Sequence, residues 1–485
     1  MTSRLSRSLI VAALVATFGV SWTSVAAADE PVAASEPRLM SETAEITSVV
    51  DAFDRDDPFD LHITAGFQQM WKHADIHRET QLSQFGLSTG GFVPTTENVG
   101  LYSQSQSILN LGLDIGLFRD FAIVARLPVI LSDSREITDL SGSSNNPQRL
   151  QDPSGGQLFS VPFKSPNRSG IDWFSVGINW AILNQQRDHT KPTWVLGVAG
   201  RFAVGSPLHA CNANAPAGTP QCVDPTNPSN PTSRDPGMSR ALHGINGTMV
   251  VSRRLGYVEP YTGFDVLAEF SSSASSDFGA TNGLVGSLVN HAPLVGSYTL
   301  GLEVIPWERR EAFQRLTADF RVAGIYNSPG REYSELFDAL GSSSAPSLRN
   351  PNPGGYMLGP NNVSIQDPNA AKVFFRGITD QQGFGSFNAN ASVTWQAGEY
   401  VKFQVGGGFR FNQGHIVTAA DSCNPDVSKD PATSGPCRVG DAGTQQTITG
   451  VPNPNHRDVI DTPGRRFSVD NTMIETLWVS GTVMF

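Results

Sequence analysis

Apolar and polar residues alternate with period two along several long stretches of the chain. From Leu109 to Leu117 the odd positions are Leu, Leu, Leu, Ile and Leu, with Asn110, Gly112, Asp114 and Gly116 between them. From Val258 to Phe270 a Val-Pro-Thr-Phe-Val-Ala-Phe series alternates with Glu259, Tyr261, Gly263, Asp265, Leu267 and Glu269. Leu316, Ala318, Phe320, Val322 and Tyr326 share one side of a third stretch, and Arg315, Thr317, Asp319 and Arg321 share the other. A fourth sets Val401, Phe403, Val405, Phe409 and Phe411 against Lys402, Gln404 and Arg410. Such alternation marks strands with one face buried. The same pattern predicts strands near 60–72, 121–132, 171–183, 193–205, 239–252, 296–306, 384–396 and 467–485, twelve in all.

Period two alone does not separate a soluble sandwich from a membrane barrel, because both bury one face. The connections do. Long gaps at 73–100, 133–170, 206–238, 271–295, 327–383 and 412–466 alternate with short ones at 119–120, 184–192, 253–256, 307–312 and 397–399. Short turns at one end and long loops at the other predict an antiparallel up-and-down transmembrane β-barrel of about twelve strands. A Greek-key sandwich would not sort its connections this way. An even strand number returns both ends to the periplasm, with six long loops outside. Aromatic residues beside the short turns (Phe118 and Phe121, Trp180 and Trp194, Trp307 and Phe313, Trp395 and Tyr400) suit the headgroup level. Arg119-Asp120 is the exception, since a two-residue hairpin prefers Asn-Gly-like pairs.

Composition agrees with a barrel. No apolar run in the mature chain reaches the ~18 residues of a spanning helix, and the mean hydropathy is −0.19. A barrel escapes such scans because only alternate residues meet lipid. Charged residues are only 16%.

Arg4 and Arg7, the apolar run Leu9 to Val20 and Ala26-Ala27-Ala28 read as a secretory signal, residues 1–28. Its removal takes the formal charge from −11 to −13, which excludes a basic nucleic-acid surface. Residues 29–59 would form a periplasmic segment, and 60–485 the barrel. Within the segment Ile46, Val49, Val50 and Phe53 fall at helical spacing and predict a short amphipathic helix that plugs the periplasmic mouth, docks a partner or lies in solvent.

The last strand runs Val479, Gly481, Val483, Phe485. In this it resembles Gram-negative outer-membrane barrels, whose closing strand ends in Phe. That resemblance implies outer-membrane lipid as surroundings and the barrel-assembly machinery as a partner through Phe485. Val176-Gly177-Ile178-Asn179-Trp180, followed by Trp194-Val195-Leu196-Gly197-Val198 and Val204-Gly205-Ser206, is similar to a paired-strand signature of the phenol meta-pathway transporter-like barrels. Those barrels usually carry a Pro before a terminal Thr-Gly, where this chain has Ala203-Val204-Gly205. The likeness implies uptake of small solutes, aromatic ones among them.

In a barrel the polar parity faces the lumen. It carries the acids Asp114, Glu259, Asp265, Glu269, Glu303 and Asp319 and the bases Arg126, Arg201, Arg315, Arg321, Lys402 and Arg410. Equal numbers of each predict a paired network, either a narrow electrostatic filter or a salt-bridged plug. Twelve strands fall between barrels filled by side chains and those with open water channels.

The four cysteines form two local pairs, Cys211/Cys222 and Cys423/Cys437, which in an exported chain read as disulfides. Each would close a loop worth about 3 kcal/mol on the entropic account. No CxxC spacing supports zinc. Asp54, Asp56, Asp57 and Asp60 lack the glycine of a calcium loop. No metal or cofactor is expected. Tyr333 to Leu340, followed by Gly341, predicts a short helix in the fifth outer loop.

A phospholipase barrel would need His-x-Ser on one strand face, and no His here has Ser two residues later: His243 has Ile245 there, and His415 has Val417. No HExxH, Gly-x-Ser-x-Gly or phosphate loop occurs either, so catalysis is not expected. The functional expectation is a narrow channel or transporter for small solutes. A receptor, adhesin or structural barrel is the alternative, and a phospholipase-like enzyme a remote one.

Overall fold

Alternation gives each strand one apolar face, and closure into a ring leaves no edge unpaired. In the computed structural model, which describes residues 43–52, 60–83, 92–140, 147–222, 224–226, 234–272, 278, 291–358, 364–425 and 450–485, twelve antiparallel strands do this. They are β1 (Leu61–Ser83), β2 (Phe92–Phe118), β3 (Phe121–Thr138), β4 (Trp173–Leu183), β5 (Thr193–Ala203) and β6 (Leu242–Ser252). Then follow β7 (Val258–Ser271), β8 (Val295–Arg309), β9 (Gln314–Asn327), β10 (Phe384–Gly398), β11 (Val401–Asn412) and β12 (Phe467–Met484). Each pairs with its sequence neighbours, and β12 returns to β1 through Phe67↔Val479 and Ile63↔Val483.

The apolar parity points outward. Phe67, Leu113, Phe264, Phe320, Phe403 and Val479 are all exposed, a face that only a hydrocarbon surrounding satisfies. Among the described residues no helix is long and apolar enough to cross a membrane. The chain is an outer-membrane β-barrel.

Several strands run further outward than the alternation test marks them. β1 and β2 continue to Ser83 and back from Phe92, across the stretch expected to be loop. Above the membrane their polarity inverts. His73 and Asp75 turn outward, while Ala74, Ile76, Ile137, Phe467 and Val469 turn inward and are buried. They pack against loop residues such as Leu158, Leu336 and Leu348 in one hydrophobic cluster. The outer loops therefore fold as a cap with its own core, in which short helices α1 (Phe337–Gly341), α2 (Pro346–Arg349) and α3 (Asp458–Asp461) sit. The helix expected from Tyr333 is thus confined to its second half. Cys211 and Cys222 are disulfide-bonded in the cap. Cys437 lies outside the described residues, and with it the second expected pair, as do the signal segment, Phe53, Asp54, Asp56 and Asp57.

The amphipathic helix expected near residue 46 is not formed. Residues 45–47 make a turn and the chain then runs without regular structure to Ala52. Ala52 exchanges two backbone hydrogen bonds with Arg119, at 3.1 and 2.8 Å. Arg119 sits at φ 46° in the tight turn closed by the Phe118↔Phe121 pair. An arginine held there costs about 1–2 kcal/mol, offset in part by the two bonds from Ala52. Tertiary pairing outweighs local helical periodicity here.

One seam interrupts the wall. β3 pairs with β4 up to Arg126↔Ser175, and beyond it with a separate short strand through Val129↔Ile171. Leu127 and Pro128 lie between, and Pro128 has no N–H to donate.

Candidate functional site

All twelve sequence-predicted charged residues stand on the strand parity opposite the exposed apolar side chains. Eight of them form cross-wall or neighbouring ion pairs. Arg126 meets Asp114, with Nη2 3.0 Å from Oδ2. Arg201 Nη1 is 3.3 Å from Glu269 Oε1, Arg315 Nη2 3.0 Å from Glu303 Oε1, and Arg321 Nη2 3.1 Å from Asp319 Oδ2. Tyr261 ties the last pair together: its hydroxyl donates to Asp319 at 2.5 Å and accepts from Arg321 Nε at 3.0 Å. The ring lies against Gly301, where an added Cβ would stand 2.1 Å from it.

The other four find different partners. Lys402 pairs with Glu45 of the N-terminal segment. Glu259, fully buried, accepts from Ser252 at 2.6 Å. Ser252 in turn shares a 2.8 Å hydrogen bond with Thr47. Arg410 donates to Asn412 and Ser386 at 3.0 and 3.3 Å. Asp265 takes a hydrogen bond from Asn246.

Sequence reasoning missed the groups that reach in from loops, which strand parity cannot place. Glu45 N–H donates to Glu303 at 3.0 Å, so the segment 43–52 is held at the inner end by Glu303, Lys402, Ser252 and Arg119. At the outer end Arg240 bridges Glu269 and Glu332, the latter at 2.6 Å. Glu335 pairs with Lys72 of β1. Burial opposes ionisation of Glu335, but the Lys72 ammonium prevails and holds its carboxyl below the usual range. Both glutamates precede α1, so the fifth outer loop dips into the mouth. Arg168 and Asp338, both buried, lock it in place with bonds of 2.9 and 2.6 Å.

Between cap and N-terminal segment three cavities follow one another along the lumen. The outer one, of 830 Å³, has Tyr102, Ile108, Ile130, Trp173, Met238 and Tyr333 in its wall, and it reaches Leu127 and Pro128 at the seam. The middle one, of 570 Å³, shares Gln68, Asn110 and Arg126 with it. The inner one, of 200 Å³, shares Glu45, His62 and Lys402 with the middle one. His243 stands apart from all three: it packs between Phe202 and Phe270 with ring centroids 6.0 Å away, and Nδ1 accepts from Ala203 N–H.

No family model matches the chain, and no curated protein matches it either. Solved structures do. The TodX monoaromatic hydrocarbon channel deltaS2 mutant is 11% identical, with 92% of this chain and 94% of that one covered and a TM-score of 0.33. A Pseudomonas aeruginosa FadL homologue is 10% identical over 88% and 90%, with a TM-score of 0.31. An outer-membrane channel from Pseudomonas putida F1 is 8% identical over 87% and 95%, again with a TM-score of 0.31. At these values the likenesses carry no functional argument.

Proposed function

We propose that the protein passes small solutes across the outer membrane through a narrow lumen lined by paired charges. The observation that carries this reading is the row of three cavities between the cap and the inner end, each sharing wall residues with the next. A salt-bridged plug would fill that volume with side chains. The likeness of 176–206 to phenol meta-pathway transporter-like barrels agrees with the reading. Each ion pair leaves a fixed dipole beside the path, where a low-dielectric wall strengthens its field.

Single-channel recording in planar bilayers tests it. The wild type should conduct in small steps. Arg321→Glu and Lys402→Glu each replace a lumen cation by an anion, and each should raise the cation-to-anion permeability ratio several-fold, read as a shift of the reversal potential. A barrel with no conductance, or one indifferent to both reversals, would favour a receptor or structural role. The seam at Leu127 and Pro128 supports one further route, in which an apolar solute leaves sideways into lipid from the outer cavity. Solute uptake without ionic current would select that route over the axial one.

A further inference from the structure

The three cavities differ in chemistry, and the middle one is built in a way that ion passage does not require. Its wall carries Trp478, with Gln68, Asn110, Asn179, Gln404 and Thr394 around it. The indole belongs to the lumen parity of β12 and stands opposite Gly406 of β11 on one side and Gln68 of β1 on the other. Gly406 makes this possible. A Cβ there would lie 2.3 Å from Trp478 Cζ2 and 2.8 Å from Ser392 Cβ, so the ring rests directly on the strand. Any side chain at 406 would push it off.

The amides around the ring are only partly used. Asn110 donates to Gln68 Oε1 at 3.2 Å, which leaves the Gln68 amino group and the Asn110 carbonyl open. Gln404 donates to Thr394 at 3.2 Å, which leaves its carbonyl open. Among the described residues the Asn179 amide and the Trp478 N–H have no partner. The charges at this level are already matched, Arg126 with Asp114 and Lys402 with Glu45. The cavity therefore offers unspent donors and acceptors, no net charge, and one flat apolar surface.

We infer that the middle cavity is a binding site for neutral, hydroxyl-rich ring solutes of the sugar and polyol class. This rests on the channel reading and names the solute that the channel favours. A ring with hydroxyls at its rim and C–H groups on its face fits each feature. The face lies on the indole, which presents an apolar body. The hydroxyls, each donor and acceptor, meet the free amides. An apolar ring would strip water from those amides and give nothing back. An anion or cation would find its counter-charge already engaged. The volume falls within the range of about 300–1,000 Å³ usual for small-molecule sites.

The test is single-channel current from the full-length barrel with D-glucose or maltose, cyclohexanol and gluconate added in turn. The sugars should interrupt the current with saturable concentration dependence, and cyclohexanol and gluconate should not. Trp478→Ala and Gln404→Leu should each weaken the apparent sugar affinity by about tenfold, equivalent to ~1.4 kcal/mol. Leu477→Ala, on the lipid side of the same strand, should leave it unchanged. Retained mobility of the unboiled variants on SDS gels verifies that they fold. A conducting barrel indifferent to sugars, or blocked better by cyclohexanol, overturns the inference while the channel reading stands. Sugar block that survives both substitutions moves the site elsewhere and overturns it too. A barrel that conducts nothing removes the channel reading itself.

Discussion

Asp461 shows how a single buried carboxyl can make the cap sensitive to pH. It closes α3, accepts the backbone N–H of Arg457 at 2.7 Å and that of Ala420 at 3.4 Å, and is almost fully buried. Burial, with Asp380 nearby, outweighs those hydrogen bonds and pushes the carboxyl up from 3.8 to about 7. The folded cap thus keeps a proton that the unfolded chain releases. Its contribution to stability is complete below 3.8 and is lost as pH rises through about 7. Cleavage of the cap by a protease should accelerate across that window in the wild type, and Asp461→Asn should flatten the dependence. Equal cleavage rates at the two ends of that window in the wild type would refute it. At this scale the sequence was legible only inside the strands. Parity placed Glu303 and Lys402 on one wall, but it had no means of placing Glu45 between them, because a segment without regular structure carries no parity.

Among the elements, the strands were the most readable and the segment before β1 the least. The twelve strands and their sorted connections follow from alternation, since in lipid each outward position must be apolar. Above the membrane the requirement reverses, and Ala74 and Ile76 point inward to the cap core while His73 and Asp75 meet water. A test that assigns apolar residues to the outside ends the strand there, which is why β1 and β2 run further than expected. Residues 43–52 mislead for another reason. Ile46, Val49 and Val50 fall at helical spacing, yet the chain makes one turn at 45–47 and then follows the inner wall without regular structure. Its anchors are few and mostly polar: Lys402 on Glu45, Ser252 on Thr47, Arg119 on Ala52. Deleting residues 43–52 should therefore raise single-channel conductance several-fold, and Glu45→Ala combined with Thr47→Ala should raise it by less. Conductance unaltered by the deletion would show that the segment does not narrow the path.

The molecule joins two bodies with opposite solvent rules, a barrel that is apolar outside and a cap that is apolar inside. Their shared elements are the outer ends of β1, β2, β3 and β12, whose inward residues Ala74, Val99, Ile137 and Phe467 belong to the cap core, whereas the hydrogen-bonded ring below is completed by the strands alone. The link between them is concentrated at α1. Asp338 there receives Arg168 and the backbone N–H of Cys211 at 2.9 Å, and the Cys211–Cys222 disulfide shapes the loop that supplies this N–H. Losing the cross-link removes about 3 kcal/mol of restraint on the loop, from the body whose order depends on tertiary contacts between loops. Stability in such a molecule should be graded, with local opening of the cap well below the free energy of the barrel. Replacing both cysteines by serine should then speed proteolysis of the cap while the unboiled barrel still migrates apart from the boiled chain on SDS gels. If the variant lost that mobility difference together with cap order, barrel and cap would be one cooperative unit, and the disulfide would act on the whole of it.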